Sequence, residues 1–480
     1  MGRIAKNYIY NLMYQLLVLL VPLITAPYLA RVLGSEGTGI YSYVHSMTSI
    51  ICTISLLGIY NYGNRQIAYV RDNKEQISQT FWQIISARLL ILVLGTIAYF
   101  LIILIIGKFT TMFAIYYSYL LANFIDCTWL YVGVEDMKWA VIKNSMTKIL
   151  AVIGIFAFVK TKNDTALYVF IQGFTILLSN ILAYTQVRRY VGKPHLDYSC
   201  IKENIVGSVS LFLPSVAATI YLQCDKIMIE LLTGATNEVS FYDYAEKIVT
   251  IPLSFITVLS TVLMPRIANE FKRNNKESIS SLLNGAASFS MFLAFPMTFG
   301  LMSVADKLVP WYLGEEFIPV IYAILLISPI VITNTLTGIS GSQFFMATNQ
   351  IGILLKSQLA AVIGNIIINA ILIPQYGFYG AAIATLITNT ICAVVQYFYL
   401  LKQIKLPGLL KTSMKYFAIS FLMFLLTRLI TGNMRARPIT NLIQVFVGVS
   451  FYMLICFVVK DKQLLLLCSK IKLPSFKNDN

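Results

Sequence analysis

The sequence predicts an all-α polytopic membrane protein with 14 transmembrane helices: two pseudo-symmetric six-helix lobes and two C-terminal helices. Three observations predict it. Apolar runs of about 20 residues, the length that crosses a ~30 Å hydrocarbon core, recur along the whole chain. Charged residues make up 12% of the 480, against about 25% in a soluble domain. Basic residues collect in alternate connections, and one pattern returns at an offset of 200 to 202 residues. Helices rather than strands follow from the run length.

The first span, 8–32, begins after MGRIAK. Its apolar run is too long for a signal peptide and has no small-x-small cleavage site. Position 6 is Lys6, so a myristoylation signal is also absent. The remaining spans are 38–62, 81–107, 111–133, 141–159, 165–187, 205–233, 238–264, 282–305, 317–345, 350–373, 377–401, 414–432 and 439–459. With the N-terminus inside, the inner segments hold 26 Lys and Arg and the outer segments 8, with Arg88, Lys226 and Lys247 within the membrane. That bias supports a multi-pass protein of the cytoplasmic membrane with both termini cytoplasmic. It also accounts for the net charge of +16, so no nucleic-acid partner is expected. The tail from Lys460 alternates Leu-rich and Lys-rich stretches and reads either as a segment lying on anionic lipid or as a solvated tail.

The repeat sets the domains. Arg65-Gln66-Ile67-Ala68 with Arg71, Asn73-Lys74-Glu75 returns as Arg266-Ile267-Ala268 with Arg273, Asn275-Lys276-Glu277. Gly34 before Tyr41-Ser42-Tyr43 returns as Gly234 before Tyr242-Asp243-Tyr244. Six spans separate the copies, an even number, so both have the same orientation. The expected division is 1–203 for spans 1–6, 204–401 for spans 7–12, and 402–480 for spans 13–14 and the basic tail.

Charges within the spans are the candidate site. Asp225 and Lys226 lie on span 7, and Asp243, Glu246 and Lys247 on span 8; Asp225, Lys226, Glu246 and Lys247 are roughly 12–15 Å from the turn between the spans at ~1.5 Å per residue. Asp243 and Lys247, four apart, share a helix face. Such charges are costly in a bilayer and face protein or water. Two readings stay open: the charges pair between packed helices, or they line a polar path. The repeat maps Glu246 and Lys247 onto His45 and Ser46. Arg88 on span 3 and Asp126 on span 4 match in depth and are expected to form a buried ion pair. Arg31 sits near the outer end of span 1, where it can snorkel. Pro22, Pro27, Pro214, Pro252, Pro265, Pro296 and Pro329 fall in or beside spans 1 and 7–10 and suit bends, either static or mobile.

Catalytic chemistry is not expected. The sequence has no Walker A, GxSxG, HExxH or GxGxxG motif, and no connection long enough for a soluble domain. Seven scattered cysteines form no CxxC pair, and two histidines make a His-based metal site unexpected. No cofactor is implied. The outer stretch from Asp306-Lys307 to Glu315-Glu316, with Trp311 and Tyr312, reads as an interfacial anchor with solvated charges.

Four features carry a resemblance: Leu29-Ala30-Arg31-Val32-Leu33-Gly34 leading to Gly39-Ile40-Tyr41; Asp225-Lys226-Ile227-Met228-Ile229 with Gly234 and Tyr242-Asp243-Tyr244-Ala245; Asn365 and Asn369 followed by Ile373-Pro374-Gln375-Tyr376-Gly377 and Gly380-Ala381-Ala382-Ile383-Ala384; and the 14-span plan. The chain resembles Wzx-type polysaccharide flippases of the multidrug/oligosaccharidyl-lipid/polysaccharide superfamily. Glu230 departs from the pattern, which continues with glycine. The resemblance implies alternating-access transfer of an undecaprenyl-diphosphate-linked oligosaccharide for capsule, exopolysaccharide or O-antigen synthesis. It implies a lipid-linked oligosaccharide and membrane lipids as partners, with polysaccharide polymerase and chain-length machinery beside them. Lys226, Lys247, Arg88 and Arg31 would attract the diphosphate, and Asp225, Asp243, Glu246 and His45 would bind a coupling H+ or Na+. The alternatives are a lipid II or teichoic-acid-precursor flippase, a drug/cation antiporter, and a membrane polymerase or glycosyltransferase.

Overall fold

The computed structural model describes residues 3–193, 200–209 and 212–470. Lys472 and Lys477 of the basic tail and the side chain of Pro214 lie outside the described residues. Helix occupies each of the 14 expected spans, and no strand occurs among the described residues. By length and composition, nine of the described helices can cross a membrane, or ten if one bent pair counts as a span. The architecture is all-α and polytopic, consistent with the expected count.

The first half runs α1 (Arg3–Ser55), α2 (Ile59–Val70), α3 (Lys74–Ile106), α4 (Thr110–Ile125), α5 (Thr128–Gly133), α6 (Met137–Phe158), α7 (Thr165–Val187), α8 (Ile201–Val209) and α9 (Phe212–Thr233). The second half runs α10 (Thr236–Lys272), α11 (Lys276–Tyr312), α12 (Val320–Ile327), α13 (Ile330–Thr337), α14 (Ile351–Tyr376), α15 (Phe378–Gln403), α16 (Leu409–Thr431), α17 (Pro438–Val458) and α18 (Lys462–Lys470). A π-helical turn, Gly338–Phe345, extends α13.

Spans 1 and 2 form one helical run interrupted at a single residue, Gly34, with φ 71° and ψ −174°. An L side chain rarely adopts that conformation, so the sequence turns the chain with glycine. Span 2 continues past its expected end: Leu56–Gly58 breaks the helix, and α2 leaves at 47°. Span 4 breaks between Ile125 and Thr128, and span 10 breaks at Pro329. Helix continues through Pro22, Pro27, Pro252, Pro265 and Pro296, so these prolines end no helix.

The matched residues of the repeat do matched work. The Asn73 carboxamide accepts from the main-chain N–H groups of Glu75 and Gln76 at the start of α3. The Asn275 carboxamide accepts from Ser278 N–H at the start of α11. Each satisfies donors that a helix start leaves open. Gly34 and Gly234 both have positive φ, 71° and 69°.

Contacts group the chain into two compact units, Met1–Ser240 and Phe241–Asn480, dividing inside α10. In the first, α4 packs on α7, α6 on α7, and α1 on α4, α6 and α9. In the second, α14 packs on α15 and α11 on α16. Its core joins Ile267, Leu283, Met291, Phe292, Phe344, Tyr416 and Tyr452. Exposure is inverted relative to a soluble protein: Ile105 and Leu429 are exposed, while Thr48, Ser86, Asn180, Asn369 and Thr388 are buried. In hydrocarbon, polar groups must find partners inside the protein.

Candidate functional site

The first unit contains an imidazole in a tyrosine cluster. On α1, His45 Nδ1 lies 2.8 Å from the Tyr116 hydroxyl of α4. The His45 ring stacks on Tyr41 at 5.7 Å and meets Tyr119 edge-on at 5.4 Å. Tyr41 packs on Tyr168 of α7 at 4.7 Å, and Gln172 Nε2 donates to the Tyr168 hydroxyl at 3.0 Å. His45 and Tyr41 are half-buried, Tyr116 fully buried. The cluster offers ring faces, hydroxyls and one titratable nitrogen, groups that suit sugars. His45 and Tyr41 came from the repeat; Tyr116, Tyr119 and Tyr168 did not, because they reach the cluster from α4 and α7.

The expected Arg88–Asp126 ion pair is not what forms. Arg88 donates from Nη1 to the Asp126 main-chain carbonyl at 2.5 Å and from Nη2 to the Asn123 carbonyl at 2.6 Å. These carbonyls are freed where α4 ends, and a buried guanidinium has donors to meet them. The Asp126 carboxylate instead takes Lys143 Nζ of α6 at 2.7 Å, with the Thr128 hydroxyl and main-chain N–H also donating to it. Lys143 is 8% exposed. Its position inside span 5, 141–159, is the signal that it is not a loop lysine. Arg88 and Asp126 brace a broken helix.

On α9, Asp225 and Lys226 are buried, 3% and 8% exposed. One turn further on, Glu230 is also buried and pairs with Lys108, which follows the end of α3. Lys108 Nζ also donates to the Gly234 carbonyl at 3.3 Å. The departure from glycine at Glu230 therefore introduces an ion pair. Sequence reasoning treated Lys108 as an ordinary loop lysine, and only the unusual carboxylate at Glu230 pointed to a partner. The Ser46 hydroxyl of α1 donates to Gln223 Oε1 at 2.7 Å. Arg31 is exposed, before the Gly34 turn.

In the second unit, Lys247 Nζ pairs with Asp243 at 2.5 Å, four residues back on α10, on the shared face that spacing predicted. Asp243 is buried, Glu246 half-buried and Lys247 exposed. Tyr242 Oη lies 2.9 Å from Thr385 Oγ1 of α15. On α14, Asn369 Nδ2 donates to Asn365 Oδ1 at 3.0 Å.

An apolar cavity of 620 Å³ opens among α10, α11, α16 and α17, lined by Pro252, Pro296, Met297, Met423, Val449 and Tyr452 among others. Val445, Val449 and Met453 of its lining are exposed, so it communicates with the lipid-facing surface. The stretch beside it corrects an expectation. α11 continues to Tyr312, and the first two of the stretch's four charges are engaged while Glu315 and Glu316 are exposed: Asp306 accepts from Arg428 of α16 at 2.5 Å, and Lys307 donates to the Gly432 carbonyl at 2.9 Å. Trp311 Nε1 donates to Asn441 of α17 at 2.5 Å. These bonds fasten the last two spans to α11. Among the described residues, no group of three or more His, Cys, Asp or Glu could hold a metal ion.

The family model for "Polysaccharide biosynthesis protein" matches residues 4–271, more than half the chain. The chain belongs to the polysaccharide biosynthesis protein family. A putative O-antigen transporter of Escherichia coli (strain K12) is 25% identical over 400 residues, 80% of this chain and 94% of that protein. A probable low-salt glycan biosynthesis flippase, Agl15, of Haloferax volcanii is 24% identical over 309 residues, 63% of each. Among solved structures, a lipid II flippase MurJ in an inward closed conformation superposes with a TM-score of 0.73 and 18% identity, over 95% of this chain and 99% of that one. The Wzx-type resemblance of this family member stands: it is a multi-pass membrane protein with the fold of that lipid II flippase.

Proposed function

We propose that the chain is a flippase carrying an undecaprenyl-diphosphate-linked oligosaccharide repeat unit across the cytoplasmic membrane by alternating access. The glycan serves capsule, exopolysaccharide or O-antigen synthesis, and the chain works beside a polymerase and chain-length machinery. The observation that carries this reading is the burial of Asp225 and Lys226 in a membrane helix of a polysaccharide-biosynthesis chain. Membrane helices keep such charges where a polar passenger or ion must be met.

The passenger has three parts, and the fold has chemistry for each. Lys226, Lys247 and Arg31 are point charges for a diphosphate. The His45–tyrosine cluster offers hydroxyls and ring faces to sugars. The cavity beside α16 and α17 is apolar and open to lipid, which suits a prenyl tail. Asp225, Asp243 and Glu246 are the carboxylates for a coupling H+ or Na+. Both termini face the cytoplasm in this reading, as the 26 to 8 distribution of basic residues favours. The names of the relatives are those of transporters rather than enzymes, which supports movement without chemical conversion.

The test is a deletion strain complemented with the parent gene or Lys226→Ala. The deletion should accumulate an undecaprenyl-linked repeat unit in the inner leaflet, and the parent gene should clear it. Lys226→Ala should reach the membrane folded yet transport about tenfold more slowly or worse, a loss of ~1.4 kcal/mol or more in passenger stabilisation. Accumulation of peptidoglycan precursor instead would overturn the assignment in favour of a lipid II flippase. Coupling is tested in proteoliposomes: rates indifferent to both proton and sodium gradients would remove the ion from the mechanism.

A further inference from the structure

The second leg of α1 is joined to α9 and to the first turns of α10 by side chains that need not stay joined, with Lys108 of the α3–α4 connection reaching α9 beside them. At one end, Thr38 Oγ1 and Ser240 Oγ are 2.6 Å apart. Beside them Lys108 pairs with Glu230. Near the middle Ser46 donates to Gln223 at 2.7 Å. Further along, Thr53 and Thr219 hydroxyls lie 3.3 Å apart. Thr38, Ser46 and Thr53 are spaced by 8 and 7, which keeps them on one face of α1. Thr219, Gln223, Lys226 and Glu230 are spaced by 4, 3 and 4, which makes one face of α9.

Two facts separate this seam from ordinary packing. At its α10 end the backbones approach very closely: a Cβ on Gly39 of α1 would stand 2.0 Å from the carbonyl oxygen of Thr236, the first residue of α10. And its fasteners are hydroxyls, one amide and one ion pair rather than interlocked apolar side chains. An apolar seam can be made and remade at little cost in lipid, whereas a polar one fixes a single register and opens only when water or a polar passenger replaces its partners. Glu230 also keeps one carboxylate oxygen, Oε2, buried without a hydrogen-bond partner, so its pairing with Lys108 is the main satisfaction that carboxylate has. Lys226 stands on the seam face between Gln223 and Glu230 and is 8% exposed.

We infer that the α1–α9 seam is a gate over Lys226, and that Lys108–Glu230 is its latch on the face that the charge bias assigns to the outside. It rests on the reading that Lys226 meets the passenger. With the seam closed, Lys226 is withheld from that side; parting it exposes the cation and offers the diphosphate a way out. Lys108, half-exposed beside the latch, is the first cation freed when Glu230 lets go.

The experiment uses the full chain in proteoliposomes, with the seven native cysteines replaced. The first readout needs no passenger. Ser42→Cys is an isosteric reporter on the α1 face between Thr38 and Ser46, and Ser42 is 5% exposed. A membrane-impermeant maleimide added outside should label it slowly. Lys108→Ala should speed labelling about tenfold by shifting the closed–open equilibrium, Glu230→Gln should do the same, and the exchange Lys108→Glu with Glu230→Lys should return it to the parent rate. The second readout is transport: Ser46→Cys with Gln223→Cys should stop it on oxidation and regain it on reduction. Labelling indifferent to Lys108 and Glu230, or full transport by the oxidised pair, overturns the gate. If labelling responds as stated while no lipid-linked glycan moves in the reduced protein, the gate stands and the passenger reading fails.

Discussion

At the residue scale, the decisive feature is which partner a buried charge takes. Asp126 looked like the natural counter-ion of Arg88 because their depths agree, and depth is what a sequence reports. The helix break at Asp126–Cys127 changes the outcome by releasing carbonyls that the guanidinium takes. No proline or glycine marks that break, so the carboxylate's transfer to Lys143 could not be read in advance. The consequence is measurable. Lys143→Met leaves the half-buried Asp126 carboxylate without its cation and should cost about 3 kcal/mol, the low end for breaking a buried pair, seen as a lower thermal midpoint in detergent. Lys143→Met combined with Asp126→Asn should recover most of the loss. Asp243→Ala should cost less, because its partner Lys247 is exposed to screening. An equal loss from all three would mean that Lys143–Asp126 is not the brace described. By contrast, the Asp243–Lys247 pair was legible from spacing alone, since four residues on a helix leave little choice of geometry.

At the element scale, helices were legible because a 20-residue apolar run has few alternatives in a bilayer. Their breaks were less so. Gly34 stands at its turn with positive φ, and Gly58 likewise at the bend Leu56–Gly58, whereas Gly338 and Gly341 of the π-helical turn Gly338–Phe345 have no positive φ to mark it. Side chains fixed them: in the π-helical turn, Ser340 donates to Gln396 of α15 at 2.6 Å. The short α18 is held from its first residue by Asp461. That buried carboxylate accepts from Lys415, from the Tyr416 hydroxyl and from the N–H groups of Gln463 and Leu464. Burial pushes its acidity the other way, but the bonds from Lys415, Leu464 and Tyr416 outweigh it and hold the carboxyl below the usual range. A carboxyl depressed on folding stabilises α18 fully above its unfolded value of about 4 and loses that contribution as pH falls through its lower folded value. Amide exchange in α18 should therefore be slow and flat from pH 7 to 5, after correction for intrinsic rates, and lose protection below about pH 4. Asp461→Ala should show the unprotected rate at every pH. Protection at pH 7 that Asp461→Ala retains would mean that packing, not the carboxylate, holds α18.

At the scale of the whole molecule, the membrane class and the repeat are written in coarse features, run length and offset, and the distribution of lysine and arginine is what forecasts sidedness. Sidedness makes a simple forecast. In right-side-out vesicles, a cysteine at Lys162 should react with an impermeant reagent and one at Lys276 should not. The reverse pattern would invert every assignment of inside and outside. What coarse features did not convey is that α9, by repeat the counterpart of the first span, groups by contact with the first half of the chain. Hydroxyls and one ion pair decide that, and no periodicity announces them. The apolar cavity at α16 and α17 is equally silent in sequence, being made from four helices. It also ties the protein to its solvent. A hydrocarbon chain settling in 620 Å³ of apolar space binds the folded protein and not the unfolded chain, so by mass action it adds to stability according to its concentration and affinity. The melting point of this protein is then shared between sequence and lipid, and the same chain in detergent and in bilayer is two different thermodynamic systems.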